Sequence, residues 1–125
     1  MAGLTYDAGA LLAAGRDDRR IWALHRRALQ RQLVPRVPAA VVTQAWRGKG
    51  QAQLARFLNG CEVVALDRRR SRRAGQLLAA AGNDAVDATV VELASERADT
   101  VVTSDRRDIE LIADANRLRL SILDV

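Results

Sequence analysis

Residues 84–108 read DAVDATVVELASERADTVVTSDRRD, and this stretch decides the fold. At about 100° per residue, Val86, Val90, Val91, Leu93, Ala94 and Ala98 form an apolar arc that marks a helix over 84–98, with Thr89, Glu92, Ser95 and Glu96 turned the other way. Asp87 falls inside that arc. The run TVVT at 100–103 then reads as a short strand, and beyond Ser104 and Asp105 a helical pattern resumes over 106–115. Helix, strand and helix in close succession are the signature of an α/β protein built on parallel strands.

The same alternation extends in both directions. Further strands are expected over 4–6, 33–37, 62–66 and 121–123, and further helices over 8–14, 17–32, 39–46, 51–58 and 71–80. Right-handed crossovers put helices on both faces, so the expected architecture is a three-layer α/β/α sandwich around a mostly parallel five-stranded sheet. Ligands of such sheets bind at the carboxyl ends of the strands, beside the switch point where successive connections leave in opposite directions. No repeat or linker divides the chain, and Pro35 and Pro38 sit together near one element boundary. Residues 1–125 are therefore expected to form a single domain.

Composition narrows the chemistry. The chain is 49% apolar, yet charges cut every apolar run short of the ~18 residues a membrane span needs. No basic segment precedes the first apolar stretch, which Asp7 interrupts, so a soluble, cytoplasmic protein without a membrane partner is expected. Cys61 is the lone cysteine and His25 the lone histidine. That pair builds neither a disulfide nor a four-ligand zinc site, and any metal must be held by oxygen. Cys61 reads as a structural thiol. His25 shares a helix face with Ile21, Trp22, Ala28 and Leu29, as a core or dimer-interface residue would. Trp22 and Trp46 have core spacing, and with 3% aromatic residues a base-stacking platform is not expected. The net charge of +5, carried by 19 arginines and the single Lys49, favours a polyanionic partner such as nucleic acid, unless it reflects genomic composition alone.

The acids supply the candidate site. Asp7 directly follows the first strand and Asp105 follows the 100–103 strand by two residues, which puts both on the carboxyl rim. Singly, each reads as a helix cap, and Asp84 with Asp87 and Asp105 with Asp108 have capping-box spacing with aspartate in place of glutamate. Asp87 is different, because a carboxylate facing the interior needs an arginine partner, backbone donors, a cation or a proton. A salt bridge and a metal role are both open for Asp87 alone. For Asp7, Asp87 and Asp105 together, a shared Mg²⁺ or Mn²⁺ is the better account. Such an ion takes one or two carboxylates and completes its shell with water and substrate phosphate. Thr103 and Ser104 are placed to contact phosphate or to cap locally. Arg68, Arg69, Arg70, Arg72 and Arg73 crowd a helix start that the dipole makes unfavourable for them. Arg47, Arg68, Arg69, Arg72, Arg106 and Arg107 are the candidate RNA-phosphate contacts, the alternative being a solvated or partner-binding face. Asp67, after the third strand, has the place of a phosphoacceptor. No acidic pair after the first strand and no lysine ending a late strand support that reading.

Four segments carry a resemblance: LTYDAGALLAA at 4–14, VPAAVVTQAWR at 37–47, DAVDATVVELA at 84–94 and TVVTSDRRDIELIA at 100–113. Their order and spacing resemble the PIN-domain ribonucleases, particularly the VapC-type toxins of bacterial toxin–antitoxin pairs. The resemblance implies a metal-dependent endoribonuclease whose first, third and fourth acids are Asp7, Asp87 and Asp105, with Asp84 and Asp108 accessory. The family's second acid, a glutamate, falls on Gln44, which keeps an oxygen donor but loses the charge. A catalytically weak or inactive module binding RNA or protein is therefore the alternative. The resemblance further implies hydrolysis without a covalent intermediate, a small antitoxin partner and a homodimer.

Overall fold

The computed structural model describes residues 2–82 and 84–125. Its elements are β1 (Leu4–Tyr6), α1 (Ala8–Gly15), α2 (Arg19–Gln30), β2 (Arg36–Pro38), α3 (Ala39–Ala45), α4 (Ala52–Asn59), β3 (Glu62–Val64), α5 (Arg68–Ala80), α6 (Ala85–Arg97), β4 (Thr100–Thr103), α7 (Arg106–Ala115) and β5 (Ser121–Asp124). The strands lie in the order β3-β2-β1-β4-β5, and all four pairings are parallel.

This order determines where the functional chemistry sits. The connections from β1 to β2 and from β2 to β3 step one way across the sheet, while β4 to β5 steps the other. Right-handed crossovers then place α1–α4 on one face and α5–α7 on the opposite face. The switch point falls between β1 and β4, whose carboxyl ends lead into Asp7 and Asp105. The central strands are the buried ones. Leu4, Tyr6, Val101 and Val102 are core residues, whereas Glu62 and Val63 of edge strand β3 are exposed.

Local chemistry explains most element ends. Asp18 accepts from the Arg20 and Ile21 N–H groups and so starts α2, with Asp17 at φ 60° just before it. The helix expected over 17–32 is accordingly shorter at both ends, for Gln32 also has φ 60° and the Leu33 N–H returns to the Ala28 carbonyl. That return moves β2 from the expected 33–37 to Arg36–Pro38. The α5 helix begins at Arg68 rather than residue 71, because the Asp67 carboxylate accepts from the Arg70 N–H at 2.8 Å. The Asp67 side chain is thus a helix cap. Ala98, in the left-handed region at φ 55°, ends α6.

The sidedness expected of α6 is corrected. Every residue from Asp87 to Ala94 is buried, including Thr89 at 5% exposure and Glu92 at 2%. The sheet covers one side of α6, while α5 and α7 cover others. Glu92 is tolerated there because the buried Arg70 guanidinium lies 3.1 Å from it and 2.8 Å from Glu96. Across the sheet, at the amino ends of the strands, buried Asp99 accepts from Thr5 at 2.8 Å and from Arg36 at 3.0 Å.

Trp46, expected in the core, is exposed, because α3 stops at Ala45 and its backbone turns extended there. His25 is buried, stacked on Phe57 at 4.0 Å and hydrogen-bonded to the Tyr6 hydroxyl at 3.0 Å. Burial lowers its pKa.

Removing one partner of a buried ion pair leaves the other charge stranded. Arg70→Ala is therefore expected to lower stability by about 3–5 kcal/mol in urea denaturation, and the Arg70→Met/Glu92→Leu double variant to recover most of that loss. A single variant as stable as the parent would show that Glu92 is not balanced by Arg70.

Candidate functional site

The crevice is built on Asp7 and Thr103. Asp7 is buried at the head of α1, where its Oδ1 accepts from the Ala8 N–H at 2.7 Å. Its Oδ2 accepts from the Thr103 hydroxyl, also at 2.7 Å. Thr103, fully buried at the end of β4, in turn accepts from the Asp105 N–H at 2.9 Å. One hydroxyl thus links the ends of β1 and β4, supported by the Asp7 N–H bond to the Val102 carbonyl at 3.0 Å. The first turn of α1 lies directly on this link. A Cβ at Gly9 would stand 2.8 Å from the Ser104 backbone nitrogen, so only glycine permits that approach.

Asp87 enters from α6 and is 9% exposed. Asp84 caps the helix, accepting from the Val86 and Asp87 N–H groups at 2.8 and 3.1 Å. Among the described residues, no cation pairs with the Asp87 carboxylate and no donor hydrogen-bonds it. Of the readings open at the sequence level, an arginine salt bridge is therefore not the one the structure adopts. Burial pushes the Asp87 carboxyl up to about 7, helped by the negative charges of Asp84, Asp7, Asp108 and Asp105. Asp105 is also raised, first by a hydrogen bond with Asp108 and then by burial and by the charges of Asp108, Asp7 and Asp84. Asp108 thus bears on the charge of Asp105.

All five acids picked from the sequence share one electrostatic neighbourhood. Among the described residues, no three His, Cys, Asp or Glu side chains stand close enough to form a finished metal-ligand group. The carboxylates repel one another, and Asp7 is held by its two hydrogen-bond donors. The donor set suits a hard divalent cation all the same. It consists of carboxylate oxygens, with Asp87 lacking any other counter-charge.

The remaining candidates divide. Gln44 is exposed in the last turn of α3, a helix that packs against both α1 and α6, and no hydrogen bond joins it to the acids. Ser104 and Arg107 are exposed beside Asp105. Arg47 is already engaged: its guanidinium donates to the Thr43 and Trp46 carbonyls at 3.1 and 2.8 Å, closing the end of α3. Arg106 is likewise turned toward β5, bonding Asp124 at 3.0 Å, Glu110 at 3.1 Å and the Ile122 carbonyl at 3.0 Å. Arg106 is thus already neutralised, whereas the exposed Arg47 keeps its charge unpaired among the described residues. Of the α5 arginines, Arg69, Arg70 and Arg73 meet Glu96 further along α6 rather than the crevice acids. Cys61 is part-buried, bonded to the Phe57 carbonyl, and burial pushes its thiol up to about 12. That is the state of a structural thiol.

Comparison with known proteins agrees with this fold. The family model of the PIN domain matches residues 5–115. A chain of DNA-bound VapBC from Salmonella typhimurium superposes with a TM-score of 0.73 at 17% identity, covering 99% of this chain and 98% of that one. A chain of VapBC2 from Rickettsia felis, bound to a DNA fragment from their promoter, gives 0.71 at 13% identity, with 98% of each chain covered. No curated protein matches the sequence. Among the described residues, no helix is long and apolar enough to cross a membrane.

The raised Asp87 carboxyl has a definite consequence for stability. Its folded pKa, about 7, lies above the ordinary aspartate value of 3.8. The folded form therefore binds the proton more tightly, and stability from this group is present at low pH and lost as pH rises from about 4 through 7. In chelator at pH 8, Asp87→Asn is expected to be about 1–3 kcal/mol more stable than the parent. That gain should vanish near pH 4 in paired thermal melts. A variant less stable than the parent at pH 8 would contradict an unpaired buried charge.

Proposed function

Since the chain belongs to the PIN-domain family, matched over residues 5–115, we propose that it is a Mg²⁺- or Mn²⁺-dependent endoribonuclease, the toxin of a toxin–antitoxin pair. The observation that carries this reading is Asp87, a buried carboxylate in the field of four other acids and lacking a cationic partner among the described residues. Charge that destabilises the fold in this way is characteristic of functional sites.

Asp7, Asp87 and Asp105 would hold the ion, with Asp84 and Asp108 adding negative field around it. Bound there, the metal would polarise a phosphate and supply an activated water for in-line attack on the phosphodiester. The chain's own residues do the rest. Thr103 fixes which face Asp7 presents and positions the Asp105 backbone in the same act. The neighbouring Asp108 carboxyl raises the Asp105 pKa, so Asp105 holds a proton more readily than a free aspartate does. Ser104 and Arg107, exposed on the rim, are available to phosphate oxygens. A small antitoxin, a homodimer and a cytoplasmic site of action complete the proposal. The likeness of the fold to chains found in VapBC complexes supports the first of these, the protein partner.

Gln44 motivates a second reading, a PIN-like module that binds RNA or protein without cutting. An exposed, neutral side chain occupies the place of the family's second acid, leaving the crevice one negative charge short.

RNA cleavage is expected to stop in chelator, to return with Mg²⁺ or Mn²⁺, and to fall at least about a hundredfold in Asp7→Asn and Asp105→Asn. Cleavage unchanged in either variant would remove the metal-site reading. Gln44→Glu is expected to tighten metal binding and raise turnover. If only that variant cuts, the natural chain is the binding module.

A further inference from the structure

Five arginines occupy the first six residues of α5: Arg68, Arg69, Arg70, Arg72 and Arg73. Positive charge at this end opposes the helix dipole. Arg68 with Arg72 and Arg69 with Arg73 are also like-charged neighbours one turn apart, which weakens the helix further. The fold itself uses three of the five. Arg70 is buried against Glu92 and Glu96, Arg73 reaches Glu96 at 3.3 Å, and Arg69 lies 3.6 Å from Glu96. Arg68 and Arg72 are exposed, and among the described residues neither forms an ion pair or a side-chain hydrogen bond. Their placement disfavours the helix and brings no internal compensation.

Together with Asp67, Arg69, Arg73 and Gln76, these two arginines line an open cleft of about 490 Å³. The lining is four arginines, one aspartate and one glutamine, with no aromatic or branched apolar side chain to seat a docking helix, although the arginine stems form much of the wall. Four guanidiniums facing one cleft instead match a chain of phosphates.

We propose that this cleft is an exosite for the RNA backbone, separate from the acidic crevice and engaged only by RNA long enough to span both. The proposal rests on the RNA-hydrolase reading for what the bound strand is used for. Glu92 and Glu96, which mark the position of α5, lie five and nine residues beyond Asp87 and project from the far side of α6 at about 100° per residue. Arg69 and Arg73, which meet these glutamates, are therefore about 7–14 Å further along the α6 axis and around its girth from Asp87. A strand held at both places needs several nucleotides beyond the one being cut. Glu96 steadies Arg69 and Arg73 on one wall, and Arg68 and Arg72 supply the unneutralised charge.

The test is fluorescence anisotropy in chelator across a range of salt, using a labelled trinucleotide and a labelled oligouridine of about twenty nucleotides. For Arg68→Ala/Arg72→Ala, affinity for the long strand is expected to fall about tenfold. The magnitude of the slope of log K against log salt should fall by about 1.4, or about 0.7 for each single-strand phosphate that the protein no longer neutralises. Trinucleotide binding and the melting temperature should not fall, and Arg68→Lys/Arg72→Lys should retain most of the long-strand affinity. Unchanged affinity and slope for the long strand would overturn the exosite. So would loss confined to binding of a co-expressed protein partner. If the parent binds long RNA through these arginines but cleaves none with Mg²⁺, the hydrolase reading fails and the exosite stands.

Discussion

The Thr103 hydroxyl has one proton to donate and lone pairs to receive another group, and both capacities are used at the switch point. It donates to Asp7 from the end of β4 and accepts from the backbone of Asp105. Because β1 and β4 send their chains to opposite faces of the sheet, they would otherwise diverge at this point. The hydroxyl keeps the two walls of the crevice in register, and Gly9 lets the first turn of α1 rest against the same turn of chain. The Asp7 carboxylate and the Asp105 backbone are thus positioned by the fold, without any cation having to gather them.

Asp87 is positioned differently. Its helix is buried nearly all round, and Asp84 caps that helix with the very N–H of Asp87. The carboxylate is held on a rigid element and pushed into a field of like charge. At the other end of the same helix, Arg70 balances Glu92 and Glu96. One buried helix therefore carries acids of two kinds. Those facing α5 are neutralised by arginine, and the one facing the crevice is not. That contrast within a single element, in a chain with 19 arginines, is the strongest physical reason to regard the crevice as functional.

Much of this was legible in the residues. The β1, β4 and α7 boundaries follow from short apolar runs ended by aspartate, and Asp87 betrays itself by interrupting an apolar arc. The parts that were not legible depend on tertiary neighbours. Glu92 reads as solvent-facing until α5 covers it. Arg106 reads as a free cation until the carboxylates of Asp124 and Glu110 come within reach. The early start of α5 is masked by the arginines themselves, which the dipole disfavours but Asp67 and Glu96 accommodate. Trp46 shows the reverse error, an aromatic at core spacing left outside by a helix that stops one residue sooner.

The central claim is that Asp7, Asp87 and Asp105 share one divalent cation although Gln44 leaves the site short of a charge. Manganese soaked into crystals of the protein, with anomalous scattering recorded at its absorption edge, addresses this most directly. The account predicts a single strong peak bonded to oxygens of those three aspartates, lost in Asp87→Asn and retained in Gln44→Glu. Saturating manganese with no peak in the crevice, in both the natural chain and Gln44→Glu, would contradict it.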